Sequence, residues 1–416
     1  MSLLGQNGCQ FPAPAKLKHY QHFVIAAVAF LFLSQFAILL SGIPVALAGD
    51  ADFRALYAAG FMVRSGNAHH LYNYDLQERV QNTIVAPRNG ALPFIYPAYA
   101  SLLFLPLSFL SYRSAYFVFF AVNLLLLWLS AKLIRSNLEH LTELWQLLPL
   151  AQLVCFFPAG VALLQGQTSI LLLALYSGSF AALQKGNHVR AGMFLGVAVF
   201  KFQIALPIAI LFLIWRRWRF VGGFLAGTTA AMVVSLCLVG TGGFVQYWRS
   251  LFLMATSISE RAAQLKYGMF PAMMPNMNGL FHLVAGDVAW VKVIAPVASG
   301  LLFAWMATAK SRSLPMAIVC ALIISRHLGL HDLVLLYLPV ALALDNVAAR
   351  PLELGTRITS ISCAVLLFPP VYLVLMERKL VPWLAVAMLA FLFCIRWNGQ
   401  AVPVKPVKKT SLAVAS

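Results

Sequence analysis

Acidic side chains are scarce in this chain, with 12 Asp and Glu against 30 Lys and Arg, and all charged residues together make up only 10% of its 416 positions. A soluble domain carries roughly 25% charged residues, so a water-soluble globular protein is excluded. Motifs that would announce common soluble chemistries are also missing. No Walker loop, no G-x-G-x-x-G after a strand and no H-E-x-x-H occurs, which sets aside a P-loop nucleotidase, a dinucleotide-binding unit and a zincin. The six cysteines form no C-x-x-C pair. Five of them (Cys155, Cys237, Cys320, Cys363 and Cys394) lie inside apolar runs and read as small buried hydrophobes, while Cys9 sits in the N-terminal tail. Ten-residue segments of alternating polarity, the mark of an outer-membrane barrel, are absent as well.

What is present is apolar. Hydrophobic residues make up 61% and the mean hydropathy is +0.83. Apolar runs near the ~20 residues needed to cross a ~30 Å hydrocarbon core recur along the chain. The expected fold is an all-α polytopic membrane protein of about twelve spans. The net charge of +18 collects between those runs, in "RRWR" at Arg216 to Arg219, "KSR" at Lys310 to Arg312 and "KPVKK" near the C-terminus. That is how cytoplasmic loops facing anionic lipid are charged, so the basic excess points to the bilayer and not to nucleic acid.

The expected organisation is a cytoplasmic tail over 1–21, one transmembrane domain over 22–398 and a basic cytoplasmic tail over 399–416. Two long outer connections are expected near 49–94 and 241–288, the first able to form an amphipathic helix from "FRALYAAGFMVRSG". A second span is expected to open at "YPAY" and run over 96–110, and another to cover 191–214. Counting spans from an inside N-terminus places most basic loops inside but leaves Lys132 with Arg135, and Lys185 with Arg190, outside. Broken helices between about 130 and 214, with Pro158, Gly166 and the Lys201 region as break points, would repair this.

The residues able to carry chemistry are few. Asp50 and Asp52 stand in "GDADFRALYAAG", where the first span ends. Either could cap the helix starting near Phe53, and a sheltered carboxylate there could equally serve as general base. Lys201 lies about ten residues inside an apolar run, where a lysine costs roughly 2.5–3.5 kcal/mol and so has a partner or a task. Anionic phosphate is one candidate; snorkelling to the interface and pairing with a buried carboxylate are the others. Arg326, His327, His331 and Asp332 cluster in "SRHLGLHDLVLL" at a span entry. Tyr96 reads as an interfacial aromatic before Pro97, and Gln165 and Gln167 flank Gly166 between apolar runs.

Taken in order, these stretches resemble the integral-membrane GT-C glycosyltransferases, specifically glycosyltransferase family 87. The likeness lies in "DFRALYAAG", then Gly66 with Leu71 and Tyr72, Tyr96-Pro97, "GQTSILLL", "AGMFLGVAVFKFQ" with "RRWR", and "RHLGLHDLVLL", together covering roughly 49–345. Where the family often has Tyr-Pro-Pro, this chain has "YPAY", and His331 stands where Tyr often precedes the late Asp.

The resemblance implies a GT-C-type helical bundle whose long first outer loop carries amphipathic helices. It implies transfer of a hexose, with mannose as the family default, from a polyprenyl-phosphate donor to a lipid or glycan acceptor. The reaction would run at the outer face of a bacterial-type plasma (inner) membrane. Asp52 would be the base of an inverting transfer. Lys201, Arg326 and His327 would meet the donor phosphate, and Tyr57, Tyr72, Tyr96, Gln167 and Asp332 the substrates, with no metal and no cofactor required. The competing reading of the residues alone is a lipid-linked sugar flippase or a twelve-helix solute transporter, which would place its binding residues at broken mid-membrane helices.

Overall fold

The computed structural model describes residues 14–256, 270–286, 288, 290–348 and 354–397. The first 13 residues with Cys9, the C-terminal tail with "KPVKK" and the middle of the second expected connection lie outside these. The described residues are helical with no strand, as an all-α polytopic membrane protein requires. Among the described residues, five helical stretches, His188–Ile214 included, are long and apolar enough to cross a bilayer by length and composition, two bent pairs qualify if each counts as one crossing, and four further apolar helices are shorter.

Helix α1 (Pro14–Val45) begins inside the expected tail and closes in a widened turn at Ala46–Asp50, where Gly49 has φ 92°. The amphipathic segment forms α2 (Phe53–Arg64), but it does not lie on the surface: every residue from Phe53 to Gly60 is buried. Its Phe53 ring stacks on Phe119 at 5.5 Å and meets Tyr116 and Phe104 edge-on. Such pairs add about 0.5–1.5 kcal/mol each beyond their buried area.

Helix α3 (Tyr74–Ile84) starts at Asn73, whose side chain accepts from the Leu76 N–H at 3.0 Å. Gln77 and Gln81 lie one turn apart on its buried face. Their amides clip the returning chain, accepting from the Phe94 and Leu92 N–H groups at 2.9 and 3.0 Å.

The run at 96–110 is not a span. It folds as two short 3-10 helices, Ala98–Leu103 and Pro106–Phe109. Fifteen residues of α-helix reach only about 22 Å, and Pro106 removes an amide from the middle of the run. The next long helix is α4 (Tyr112–Ile134), followed by α5 (Glu139–Leu144), then α6 (Leu148–Cys155) and α7 (Phe157–Gln165), which meet at a 61° bend. Helices α8 (Ser169–Gln184), α9 (His188–Val197) and α10 (Phe202–Ile214) come next.

The expected span over 191–214 is split. Lys201 leaves helical geometry (φ −114°, ψ 65°) between α9 and α10. Helix α11 (Trp218–Thr256) then packs alongside α9 in the same direction: Gly223 lies on the Val189 carbonyl, Gly192 on Phe220, and Gly196 on Phe224 and Thr228. A Cβ at Gly192 would sit 1.9 Å from the Phe220 oxygen, so only glycine permits this approach. Because α10 ends four residues before α11 begins, it must return toward the start of α9. End to end, α9 and α10 have the length of one crossing, yet they form a hairpin with Lys201 at its tip.

The bundle therefore has two unlike ends. Tyr112 and Tyr116, at the start of α4, bond the Ala46 and Leu164 carbonyls at 3.0 and 2.9 Å, which places the starts of α4 and α8 beside Asp52. Lys132 with Arg135, Lys185 with Arg190, and Arg216 to Arg219 fall at the opposite end. Trp215 bonds the Ala307 carbonyl at 3.1 Å, bringing the end of α13 (Val291–Ala307), which follows α12 (Met277–Ala285), with Lys310 and Arg312 to that end too. Helix α14 (Leu314–Ile324) climbs back to the Asp52 end. A 3-10 helix (Leu330–Leu336) continued by α15 (Tyr337–Ala348) descends again. Helices α16 (Leu354–Leu367), α17 (Pro369–Glu377) and α18 (Leu384–Trp397) complete the described chain.

Candidate active site

Asp52 occupies the N-cap position of α2, yet its side chain makes no cap hydrogen bond. The carboxylate turns the other way, and its Oδ2 accepts from Gln167 Nε2. Gln167 Oε1 in turn accepts from the Tyr96 hydroxyl at 3.1 Å. Burial raises the Tyr96 pKa above the usual phenol value, keeping its O–H a donor. The Asp52 backbone N–H donates to Gln165 Oε1 at 3.2 Å, so both glutamines around Gly166 hold the same residue. Asp52 Oδ1 has no hydrogen-bond partner among the described residues. The side chain is only partly buried, unlike Gln167 and Tyr96.

Its neighbour Asp50 goes elsewhere. Arg88 grips both Asp50 oxygens, at 2.7 and 3.0 Å, on the exposed rim. Arg54, only 1% exposed, anchors the turn from behind. Its guanidinium donates to Gln81 Oε1 (3.0 Å), Asn82 Oδ1 (2.7 Å) and the Ala86 carbonyl (2.8 Å), and reaches the Gly49 carbonyl at 3.4 Å.

The second limb is Lys201, Asp332 and Ser169. Lys201 and Asp332 are 4% and 1% exposed and form an ion pair. Ser169 Oγ donates to Asp332 Oδ1 at 2.7 Å and accepts from Lys201 Nζ at 3.1 Å. Asp332 Oδ2 accepts from the Gly329 N–H at 3.3 Å and lies 3.6 Å from His331 Nε2. An ammonium has three donors, and one on Lys201 has no partner among the described residues. Pairing explains how the hairpin tip tolerates its charge: a buried ion left alone costs several kcal/mol.

One short segment joins the two limbs. Gly166 ends α7 in the left-handed conformation (φ 58°), and a Cβ there would collide with Phe53 at 2.7 Å. The chain then turns through Gln167 and Thr168 into α8. Gln167 thereby reaches Asp52, while Ser169, two residues on, reaches Asp332 and Lys201.

Of the residues expected from sequence, Asp52, Tyr96, Gln167, Lys201, Asp332 and His327 come together. Burial pushes the His327 imidazole down to about 4, with Asp332, Lys201, His331 and Asp52 all within electrostatic range. Its Nδ1 is buried with no hydrogen-bond partner among the described residues. Arg326, next to it, is exposed. Tyr57 and Tyr72 stand back from Asp52. The Tyr57 hydroxyl bonds the Leu110 carbonyl at 2.7 Å within the aromatic cluster, and the Tyr72 hydroxyl bonds the Tyr96 carbonyl at 3.0 Å. Sequence reasoning did not single out Ser169, Arg54 or Asn276. Asn276, fully buried, ties the loop before His327 by donating to the Ser325 carbonyl at 2.7 Å. Ser169 and Arg54 each sit within two residues of a chosen residue, which is the one signal that could have found them.

A polytopic helical bundle with a held carboxylate, a buried amide and a lysine–aspartate pair at one end defines a membrane protein with an enclosed polar site. The chain matches glycosyltransferase family 87 over residues 94–330, and it belongs to that family of membrane glycosyltransferases. Tyr96, Gln167, Ser169, Lys201, Arg326 and His327 fall within the matched region; Asp52 precedes it and Asp332 lies two residues beyond. No curated protein and no solved structure matches the chain.

Proposed function

We propose that the protein transfers a hexose, with mannose the first candidate, from a polyprenyl-phosphate donor to a lipid or glycan acceptor, with inversion at the anomeric carbon. The observation that carries this reading is the state of Asp52. It sits at a cap position without capping, one oxygen is oriented by Gln167, the other is unused, and a buried cation lies on the far side of Gln167–Ser169. A general base must be oriented and must reach its proton; the Gln167 bond to one oxygen and the partly open position of the other support that role for Asp52.

In the proposed step the acceptor oxygen attacks the anomeric carbon while Asp52 takes its proton. The bond from anomeric carbon to phosphate oxygen breaks, and polyprenyl phosphate leaves with the electron pair. The remaining N–H of Lys201, with Arg326 and with His327 as a neutral donor, supplies charge and hydrogen bonds to that phosphate. Asp332 and Ser169 orient Lys201, while Tyr96 and Gln167 orient the base. Tyr57 acts by supporting α2, and Tyr72 by supporting Tyr96. Sidedness follows from charge: the lysine- and arginine-rich end faces the cytoplasm by the positive-inside rule, which turns the Asp52 end outward in a plasma membrane of bacterial type.

The test is an in vitro transfer assay with polyprenyl-phosphate-mannose and other lipid-linked sugars. Asp52→Asn is expected to lower transfer by about 10²–10⁴-fold, the range of general-base catalysis, without loss of fold. Near-wild-type transfer by this variant would remove Asp52 from the role.

A further inference from the structure

A second polar cavity lies outside the cluster just described, between the first outer segment and the far part of α11. It encloses about 310 Å³, at the small end of the ~300–1,000 Å³ typical of small-molecule sites. Before the cavity, α11 kinks at Gly240 (φ 68°), where His69 Nδ1–H donates to the Val239 carbonyl at 2.9 Å. Beyond the kink, α11 lies over the start of α3. The floor is apolar and aromatic: Tyr72 and Phe94, with ring centroids 6.4 Å apart. The rim carries Asp75 from α3 and Gln246 and Arg249 from α11. Among the described residues these three side chains have no hydrogen bond or ion pair, although they face one space.

An apolar lining, in which Pro93, Ile95 and Leu253 join the edges of the buried Tyr72 and Phe94 rings, edged by a carboxylate, an amide and a guanidinium, fits one ligand chemistry best. A pyranose has an apolar C–H face that lies on aromatic and aliphatic surface. Its edge hydroxyls both donate and accept, which a carboxylate and a guanidinium can satisfy together. Asp75 opposes an anion, and a lone carboxylate is too few ligands for a metal.

The floor is also tied to the base. Phe94 packs on Tyr96 at 5.6 Å, the Tyr72 hydroxyl holds the Tyr96 carbonyl, and Tyr96 bonds Gln167, which bonds Asp52. We infer that this cavity is a subsite for the neutral saccharide part of the acceptor, at sugar units beyond the one whose hydroxyl Asp52 deprotonates. The assignment of an acceptor rests on the transferase reading; the assignment of a saccharide rests on the cavity itself.

The two are separated by measuring binding apart from turnover. Full-length protein in nanodiscs is probed by saturation-transfer NMR with three neutral trisaccharides: α-mannotriose, maltotriose and cellotriose. At least one is expected to bind wild type and Asp52→Asn alike, and to bind Asp75→Ala/Arg249→Ala at least ten-fold more weakly. The conservative pair Asp75→Asn/Arg249→Lys is expected to fall between them. Absence of binding by all three sugars, or binding unchanged in the alanine pair, overturns the subsite. In the transfer assay the alanine pair is expected to raise the acceptor KM about ten-fold with kcat nearly unchanged, whereas Asp52→Asn lowers kcat. An unchanged KM overturns the acceptor role. Loss of transfer in every protein with trisaccharide binding intact overturns the transferase reading and leaves the saccharide subsite standing.

Discussion

Asp52 and Asp332 are two carboxylates at one end of the same bundle, joined through Gln167–Ser169, and they are held in opposite ways. Asp332 is almost completely buried and meets a lysine, a serine and a backbone N–H. Asp52 is partly open and is held by one neutral amide. A carboxylate bonded on all sides to a cation and donors is a structural anion, since taking a proton would cost a hydrogen bond and the charge that pairs with the lysine. A carboxylate with one oxygen unused is arranged to accept a proton. On the proposed mechanism the contrast divides labour in the site: one aspartate fixes the lysine, and the other takes the acceptor proton.

That division can be broken in order of expected effect. Exchanging the substitution between the two positions is the sharpest test. Asp52→Asn is expected to abolish most transfer at nearly unchanged thermal stability, whereas Asp332→Asn is expected to lower thermal stability and, by loosening Lys201, transfer as well. Removing either partner of the buried pair, as in Lys201→Met or Asp332→Leu alone, is expected to cost about 3–5 kcal/mol, because the survivor is left as an uncompensated buried charge. The Lys201→Met/Asp332→Leu double variant should recover most of that in a thermal-unfolding assay while staying inactive. If the double variant is as unstable as the singles, the pair is not what holds the hairpin tip.

His327 gives a smaller and pH-dependent effect. Its folded-state pKa of about 4 lies below the ordinary histidine value near 6.5. The folded state therefore binds fewer protons than the unfolded one, and stability present above pH 6.5 is lost as pH falls toward 4. A loss of about 2 kcal/mol by pH 5 is expected in wild type, seen as a falling unfolding temperature, and His327→Gln should flatten that slope. The smallest effect is expected at Asp50. Its pair with Arg88 is about 40% exposed on each side, and exposed pairs contribute about 0–1 kcal/mol. Asp50→Asn should change transfer and melting little; a loss matching Asp52→Asn would mean that the two aspartates act together.

Much of this was legible in the sequence, and the reasons for the rest are physical. Composition and apolar runs gave the all-α polytopic class, because the bilayer leaves few options for satisfying backbone groups. Lys201 announced itself by the penalty of a charge in an apolar run, and a buried carboxylate was among the expected partners. The run at 96–110 misled because hydropathy does not see that Pro106 and a short reach favour 3-10 turns. Counting that run as a crossing separated Lys132 and Lys185 from the other basic residues; without it, and with the hairpin at Lys201, they share one end of the bundle with them. Asp52 and Asp50 could not be separated by local pattern. Their difference is set by Gln167 and Arg88, which lie 115 and 38 residues away.

The hairpin at Lys201 also sets a timetable for making the protein. Its partner Asp332 is 131 residues further along the chain. At ~5–20 residues per second of synthesis, the ribosome needs about 7 to 26 seconds to deliver it. For that interval the lysine can rely only on water and lipid head groups, so α9 and α10 should rest shallowly and sink to full depth when α15 enters. A chain truncated just before Asp332, carrying a cysteine in place of Phe202, should label with a water-soluble maleimide that the full chain excludes. Equal protection of both would mean that the tip settles before its counter-charge exists.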